Sequence, residues 1–233
     1  MNLFTYSVVR EVQEDLIKEV ETCLNSRKNL IVHAPTGLGK TVATLAPALK
    51  YALDNKKTIF FLTSRHTQHN IAIETLKLIK EQHSIGFCST SIIGKKWMCL
   101  QPGVETLYNS DFVDYCKRLK EDGKCNFYKN TRQTQAKFTI RAASLLNTIE
   151  KASPLSTEEV IRYSDNEEMC PYEISIGVAK KAKVIITDYY YLFHPDIGDN
   201  FLTKINKELE NLISSSMRRI TFHTGLKTLL QNT

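Results

Sequence analysis

Two hydrophobic periods share the chain. Across residues 9–25 (VREVQEDLIKEVETCLN), Val9, Val12, Leu16, Val20, Cys23 and Leu24 fall on one stripe and predict an amphipathic helix. NLIVHA at 29–34 is a short apolar run with β-branched residues, the pattern of a buried parallel strand. KTVATLAPALKYAL at 40–53 returns to helical spacing. KTIFFLT (57–63) predicts a second buried strand, SRHTQHNIAIETLKLIKEQ (64–82) a crossover helix, and SIGFCSTSII (84–93) a third strand. Strands alternating with helices imply an α/β fold: a parallel sheet with helices on both faces and right-handed crossovers. Ligands of such sheets bind beyond the carboxyl ends of the strands.

After Ile93 the alternation stops. From Gly94 to about Asp165 no strand pattern stands out, and helical pieces such as KNTRQTQAKFTIRAASLLNTIEKA (129–152) dominate. Ser156-x-x-Glu159 is a capping box that marks a short helix start. CPYEISIGVAKKA (170–182) then reads as a helix and KVIITD (183–188) as a strand returning to the sheet. The expected organisation is a first part of the α/β domain at 1–93, a mainly helical insertion at 94–170 and a return at 171–213. Beyond it, 214–233 is a basic tail without acidic residues, possible start of a further domain.

Composition adds bounds. With 233 residues, 42% hydrophobic and 24% charged, the chain can hold one large domain or one domain with a sizeable insertion. No apolar run approaches the ~18 residues of a membrane span, and the N-terminus lacks a secretory pattern. An intracellular monomer is expected, cytoplasmic in a prokaryote or nuclear in a eukaryote. A formal charge of +6 permits a nucleic-acid partner without demanding one.

Between the first strand and the second helix lies APTGLGKT, residues 34–41. Strand, glycine-rich loop and helix are the context of a phosphate loop. Gly37 and Gly39 can take backbone angles closed to other residues, so that Ala34, Pro35, Thr36, Gly37, Leu38, Gly39, Lys40 and Thr41 can wrap a phosphate. Backbone N–H groups at the helix N-terminus favour the anion. Lys40 would reach the β- and γ-phosphates of ATP, and the Thr41 hydroxyl would join Mg²⁺. An ordinary turn containing GxGKT is the bland alternative.

Six cysteines in a chain expected inside a reducing cell suggest metal rather than disulfides. Cys23 and Cys88 are most simply buried small hydrophobes. Cys99, Cys116, Cys125 and Cys170, spaced C-x16-C-x8-C-x44-C, lack the C-x2-C pairs of a zinc ribbon. An iron–sulfur cluster, zinc and unligated thiols all remain open on spacing alone.

The APTGLGKT loop, GKKWMC (94–99), CPYEIS (170–175) and AKVIITDYYYLFHP (182–195) together resemble the XPD-like iron–sulfur DNA helicases of superfamily 2. The likeness runs to about Ile213. It implies a RecA-like motor domain, a [4Fe–4S] cluster on Cys99, Cys116, Cys125 and Cys170, and ATP-dependent 5′-to-3′ unwinding in DNA repair. The expected partner is single-stranded DNA or a junction, with no membrane. Arg10 and Gln13 resemble the family's adenine-contacting element. Thr63, Arg65, His66 and Gln68, in TSRHTQ, resemble the element lining the DNA track, and Tyr189 and Tyr191 offer faces for unpaired bases. Each has a plainer reading: a solvated Gln13, an N-capped helix start at TSRHTQ, core tyrosines. Lys95, Lys96, Lys117, Arg118, Lys120 and Lys124 lie near the cysteines and suit a phosphate backbone, or form a solvated basic face.

One part of the pattern is missing. Such motors take Mg²⁺ and water-orienting carboxylates from a D-E-A-H run on a strand, and this chain contains no Asp-Glu dipeptide. After KINKELENLI (204–213), expected to be the helix before that strand, it reads SSSMRRITFH. The acidic strand is therefore expected to be lost, along with the second motor domain, with Asp188 as the one substitute acid. The chain is expected to be an ATP-binding fragment with little ATPase activity. The competing classes are a non-enzymatic iron–sulfur DNA-binding module with a vestigial loop, and a generic P-loop NTPase with a zinc knot.

Overall fold

A computed structural model describes residues 3–5, 9–35, 37–216 and 220–224, the last for its backbone alone. The elements are α1 (Glu11–Ser26), β1 (Leu30–Val32), α2 (Lys40–Asp54), β2 (Thr58–Leu62), α3 (His66–His83) and β3 (Ser89–Ile92). Then come α4 (Asn109–Glu121), α5 (Asn126–Thr131), α6 (Ile140–Ala152), α7 (Thr157–Asn166) and α8 (Pro171–Lys181). The chain returns to the sheet through β4 (Val184–Thr187), α9 (Tyr190–Phe193), α10 (Pro195–Ile205), β5 (Leu212–Ser216) and β6 (Ile220–Thr224).

Six strands form one sheet in the order β1-β6-β5-β2-β4-β3. β3, β4, β2 and β5 pair in parallel, as the alternating pattern predicts. β6 departs from it, running antiparallel to both β5 and β1. Strand side chains alternate between two cores, as a period of two demands. Ile59, Phe61, Val184, Ile186 and Ile213 pack with α1, α2 and α3 on one face. Phe60, Leu62, Ile185, Ile92 and Leu212 pack with α8 and α10 on the other.

Two expectations at the C-terminal end need correction. KINKELENLI is not one helix: α10 stops at Ile205, Asn206 turns left-handed (φ 53°), and Leu212 opens β5. A strand does follow, but it reads LISSS and carries no carboxylate, and the sheet continues through Ser216 and β6 rather than yielding to a tail at residue 214. Residues 217–219 and 225–233 of that tail lie outside the described residues.

The insertion covers the β3 end of the sheet. β3 reads STSI yet is buried throughout, which costs free energy unless its hydroxyls are bonded. The segment after α6 supplies partners: Ser153 Oγ accepts from Ser89 N at 2.7 Å, and Thr157 Oγ1 donates to Ser91 Oγ at 2.9 Å. α6, α7 and α8 share a third core around Leu145, Leu146, Ile149, Val160 and Ile174. The capping box forms, with Ser156 Oγ accepting from Glu159 N and Glu159 accepting from Ser156 N.

Candidate nucleotide loop and cysteine pocket

The loop between β1 and α2 takes the conformation its glycines permit. Gly37 (φ 83°) and Gly39 (φ 74°) are left-handed, and Gly39 serves as the N-cap of α2. A Cβ on Gly39 would meet Gln13 Nε2 at 2.5 Å. Gln13 is buried, not solvated: its Nε2 donates to Leu38 O at 2.6 Å and its Oε1 accepts from Arg10 N at 3.0 Å. Arg10 Nη1 reaches Gly37 O at 3.3 Å. Both residues of the predicted adenine element therefore brace the loop itself. Lys40 Nζ donates to Ala34 O and Pro35 O at 3.1 and 2.6 Å, turned back onto the loop's own carbonyls. Thr41 stands in the first turn of α2, Leu38 anchors the loop in the core, and Thr36 lies outside the described residues.

Other predicted residues follow along the same carboxyl edge. Thr63 follows β2 directly, fully buried, with its N–H on Thr187 O at 3.1 Å and its hydroxyl bonded to Gln68. Arg65 and His66 are exposed at the start of α3. Tyr191 belongs to the core: its hydroxyl donates to Ile93 O at 3.0 Å and its ring packs on Phe201. Its face is not available to a base, which corrects the reading above. Tyr189 is half-buried, bonded to Ser216 Oγ at 3.1 Å, and the aromatic ring open to solvent is Tyr190, 67% exposed. The sequence could not separate three consecutive tyrosines; the helical turn at Tyr190–Phe193 does.

Asp188 cannot replace the missing acid. It follows β4, four strand spacings from β1, roughly 19 Å at ~4.8 Å each. Burial raises its carboxyl pKa, with His66 opposing, and its Oδ1 lies 3.9 Å from His69 Nε2. β5 is only two spacings from β1, and it ends in Ser214, Ser215 and Ser216, with Ser214 Oγ and Ser215 Oγ buried and without a partner among the described residues.

At the β3 end of the edge, Cys99, Cys116, Cys125 and Cys170 all line one pocket. Each cysteine sits at an element boundary or on a helix face. Cys99 closes a 3-10 turn (Lys95–Met98), Cys116 lies in α4, Cys125 is the N-cap of α5 and Cys170 the N-cap of α8. Phe112, Leu119, Phe127 and Pro171 form apolar walls, Gln101 Nε2 donates to Cys125 Sγ at 3.6 Å, and Lys95 and Lys120 stand by. Burial pushes the Cys170 thiol up to about 12 and raises Cys99 as well, so thiolates there require a bound cation. Among the described residues, no three His, Cys, Asp or Glu side chains converge as the ligands of a single ion would.

Not all six nearby cations are free for phosphate. Lys120 pairs with Glu173 at 2.9 Å, Lys124 with Asp122 at 3.1 Å and Lys117 with Glu121 at 4.0 Å. Lys96 donates to Leu107 O at 2.5 Å and Lys95 lies over the Tyr172 ring. Arg118 is exposed on α4.

Two family models match: DEAD_2 over residues 61–213 and the DEAD/DEAH box helicase over residues 10–108. The chain belongs to the DEAD_2 family. Among its relatives is the general transcription and DNA repair factor IIH helicase subunit XPD/RAD3 of Saccharomyces cerevisiae, 22% identical over 88% of this chain and 28% of that protein. A probable ATP-dependent helicase of Methanocaldococcus jannaschii is 34% identical over 43% of this chain and 15% of its own length. A solved XPD helicase superposes with TM-score 0.60 at 20% identity, covering 91% of this chain and 32% of that one. A truncated XPD gives 0.53 at 19% identity, over 87% and 51%. This DEAD_2 chain therefore has the fold of the amino-terminal domain of XPD-like superfamily 2 helicases, and it spans about a third or less of the curated relatives named here. Among the described residues no helix is long and apolar enough to cross a membrane.

Proposed function

We propose that this chain is the nucleotide-binding motor domain of an ATP-dependent 5′-to-3′ DNA helicase acting in repair, with a [4Fe–4S] cluster in its insertion. The observation that carries this reading is the pairing of two sites on one sheet edge. The phosphate loop follows β1, and the four-cysteine pocket follows β3, five strand spacings or roughly 24 Å away. Cys99, Cys116, Cys125 and Cys170 would hold the cluster, which would tie α4, α5 and α8 to the 3-10 turn after β3. Arg10, Gln13, Lys40 and Thr41 would hold ATP with Mg²⁺, once Lys40 leaves the Ala34 and Pro35 carbonyls for the phosphates. Single-stranded DNA or a junction would cross the edge between the sites, past Arg65, His66 and Tyr190 toward Lys95 and Lys96.

Hydrolysis by this chain should be poor, because β5, the nearest strand that runs parallel to β1, presents serines where a metal-holding carboxylate is needed. A loss of roughly 10³-fold or more in turnover is expected from removing Mg²⁺ and water positioning. Steady-state ATPase assays with and without single-stranded DNA test this; robust DNA-stimulated turnover by the isolated chain would refute it. Anaerobic purification tests the cluster: brown protein with broad absorption near ~400 nm supports it, whereas colourless, iron-free protein removes it.

A further inference from the structure

We propose that Glu173 is the positioning residue that holds the cysteine-bearing segments in register around the pocket and thereby governs retention of the cluster, an inference that rests on the cluster reading above. Glu173 is the third residue of α8, whose N-cap is Cys170, so it sits one turn from that ligand. Lys120 lies four residues after Cys116 on α4, hence on the same helix face. Arg132 caps the carboxyl end of α5, whose N-cap is Cys125. The three meet at one carboxylate. Lys120 Nζ donates to Glu173 Oε1 at 2.9 Å, while Arg132 Nε donates to Oε2 at 3.0 Å and Nη2 forms an ion pair with the same oxygen at 3.0 Å.

Each cation is also held from behind. Lys120 Nζ stands 4.1 Å from the Tyr128 ring centroid, and the Arg132 guanidinium 3.7 Å from that of Phe138. Thr131, fully buried, adds a direct tie by accepting from Cys170 N at 2.7 Å. The Arg132 side chain is 4% exposed and that of Glu173 13%. Such a buried pair adds little net stability over an apolar filling, but removing its anion strands buried cations and frees the segments it joins. Its value is register: one carboxylate sets the distances among three cysteines contributed by three helices. None of the three side chains is itself a cysteine ligand, so the role is distinct from ligation.

The test uses the full chain, purified anaerobically as wild type, Glu173→Gln and Glu173→Asp. Iron and sulfide content, the ~400 nm band and the rate of bleaching under a ferrous chelator are measured, with far-ultraviolet circular dichroism as the control for folding. Glu173→Gln should lose the band roughly 10- to 100-fold faster than wild type while the dichroism stays native, and Glu173→Asp should restore part of the retention. Equal iron content and bleaching rate in wild type and Glu173→Gln would overturn the inference while leaving the cluster in place. Colourless wild type would instead remove the cluster reading and this one with it. Should Glu173→Gln fail to fold, Lys120→Gln, at a half-buried position, replaces it, and unchanged retention there is equally fatal.

Discussion

At the scale of single residues, the structure divides side chains that look alike in the sequence. Gln13 reads as a solvated helix position or a nucleotide contact, and it proves to be the buried brace of Leu38 O and the neighbour of Gly39. Among three consecutive tyrosines, Tyr191 is core, Tyr189 is tied to Ser216, and Tyr190 faces solvent. If Tyr190 stacks on an unpaired base, Tyr190→Ala should weaken single-stranded DNA binding by ~1–3 kcal/mol, about 5- to 150-fold, without lowering the melting temperature. Fluorescence anisotropy with a labelled oligonucleotide measures this, and unchanged affinity removes Tyr190 from the track. Tyr191→Ala should instead destabilise the fold, since it empties a core position and leaves Ile93 O without its donor.

Among the elements, helices and strands with strong periodicity were readable, and those bounded by distant partners were not. α1, α2, α3 and α8 lie close to their predicted spans because caps and apolar spacing are local signals. The KNTRQTQAKFTIRAASLLNTIEKA stretch instead divides into α5, a bridge pairing Arg132 with Phe138, and α6 from Ile140. That break is set by the Glu173 pairing and by Thr139 Oγ1, which bonds Asn130 O at 2.6 Å. β5 was missed because its serines lack strand hydrophobicity; pairing with β2 makes it a strand. Since α4 buries only Phe112 and α5 only Thr131 within their helices, the proposed cluster would be a main tie between these helices and the rest of the pocket. Stripping iron should make residues 109–131 sensitive to protease while the sheet resists. Mass mapping of limited digests before and after chelation checks this; cuts spread evenly over both regions would contradict it.

Across the whole molecule, the polar seam between α3, β3 and α7 joins the sheet to the helical segment that follows β3. His69 is 2% exposed, its Nδ1 lies 2.8 Å from Ser91 Oγ, and Ser91 in turn accepts from Thr157. Burial, with His66 adding, lowers the His69 pKa from 6.5 to about 4. The unfolded chain therefore binds a proton that the folded chain refuses. This stabilisation is complete above pH 6.5 and is lost as pH falls toward 4, about 3 kcal/mol in all. Denaturant melts between pH 7 and 4 should show that slope in wild type and a shallower one in His69→Gln. Identical slopes would mean that His69 protonates freely in the native state.

The sequence by itself determined the helices, the buried strands and the glycine loop, because each is written in neighbouring residues through periodicity, capping and backbone freedom. It also determined that no Asp-Glu pair exists to serve the loop. Only the tertiary structure decided the strand order, which places Asp188 four spacings from the loop and the serines of β5 two spacings away. Convergence of Cys99, Cys116, Cys125 and Cys170 on one pocket was settled at the same level. Those relations join residues far apart in the chain, and packing, hydrogen bonding and ion pairing across that separation leave no periodic trace in a linear string.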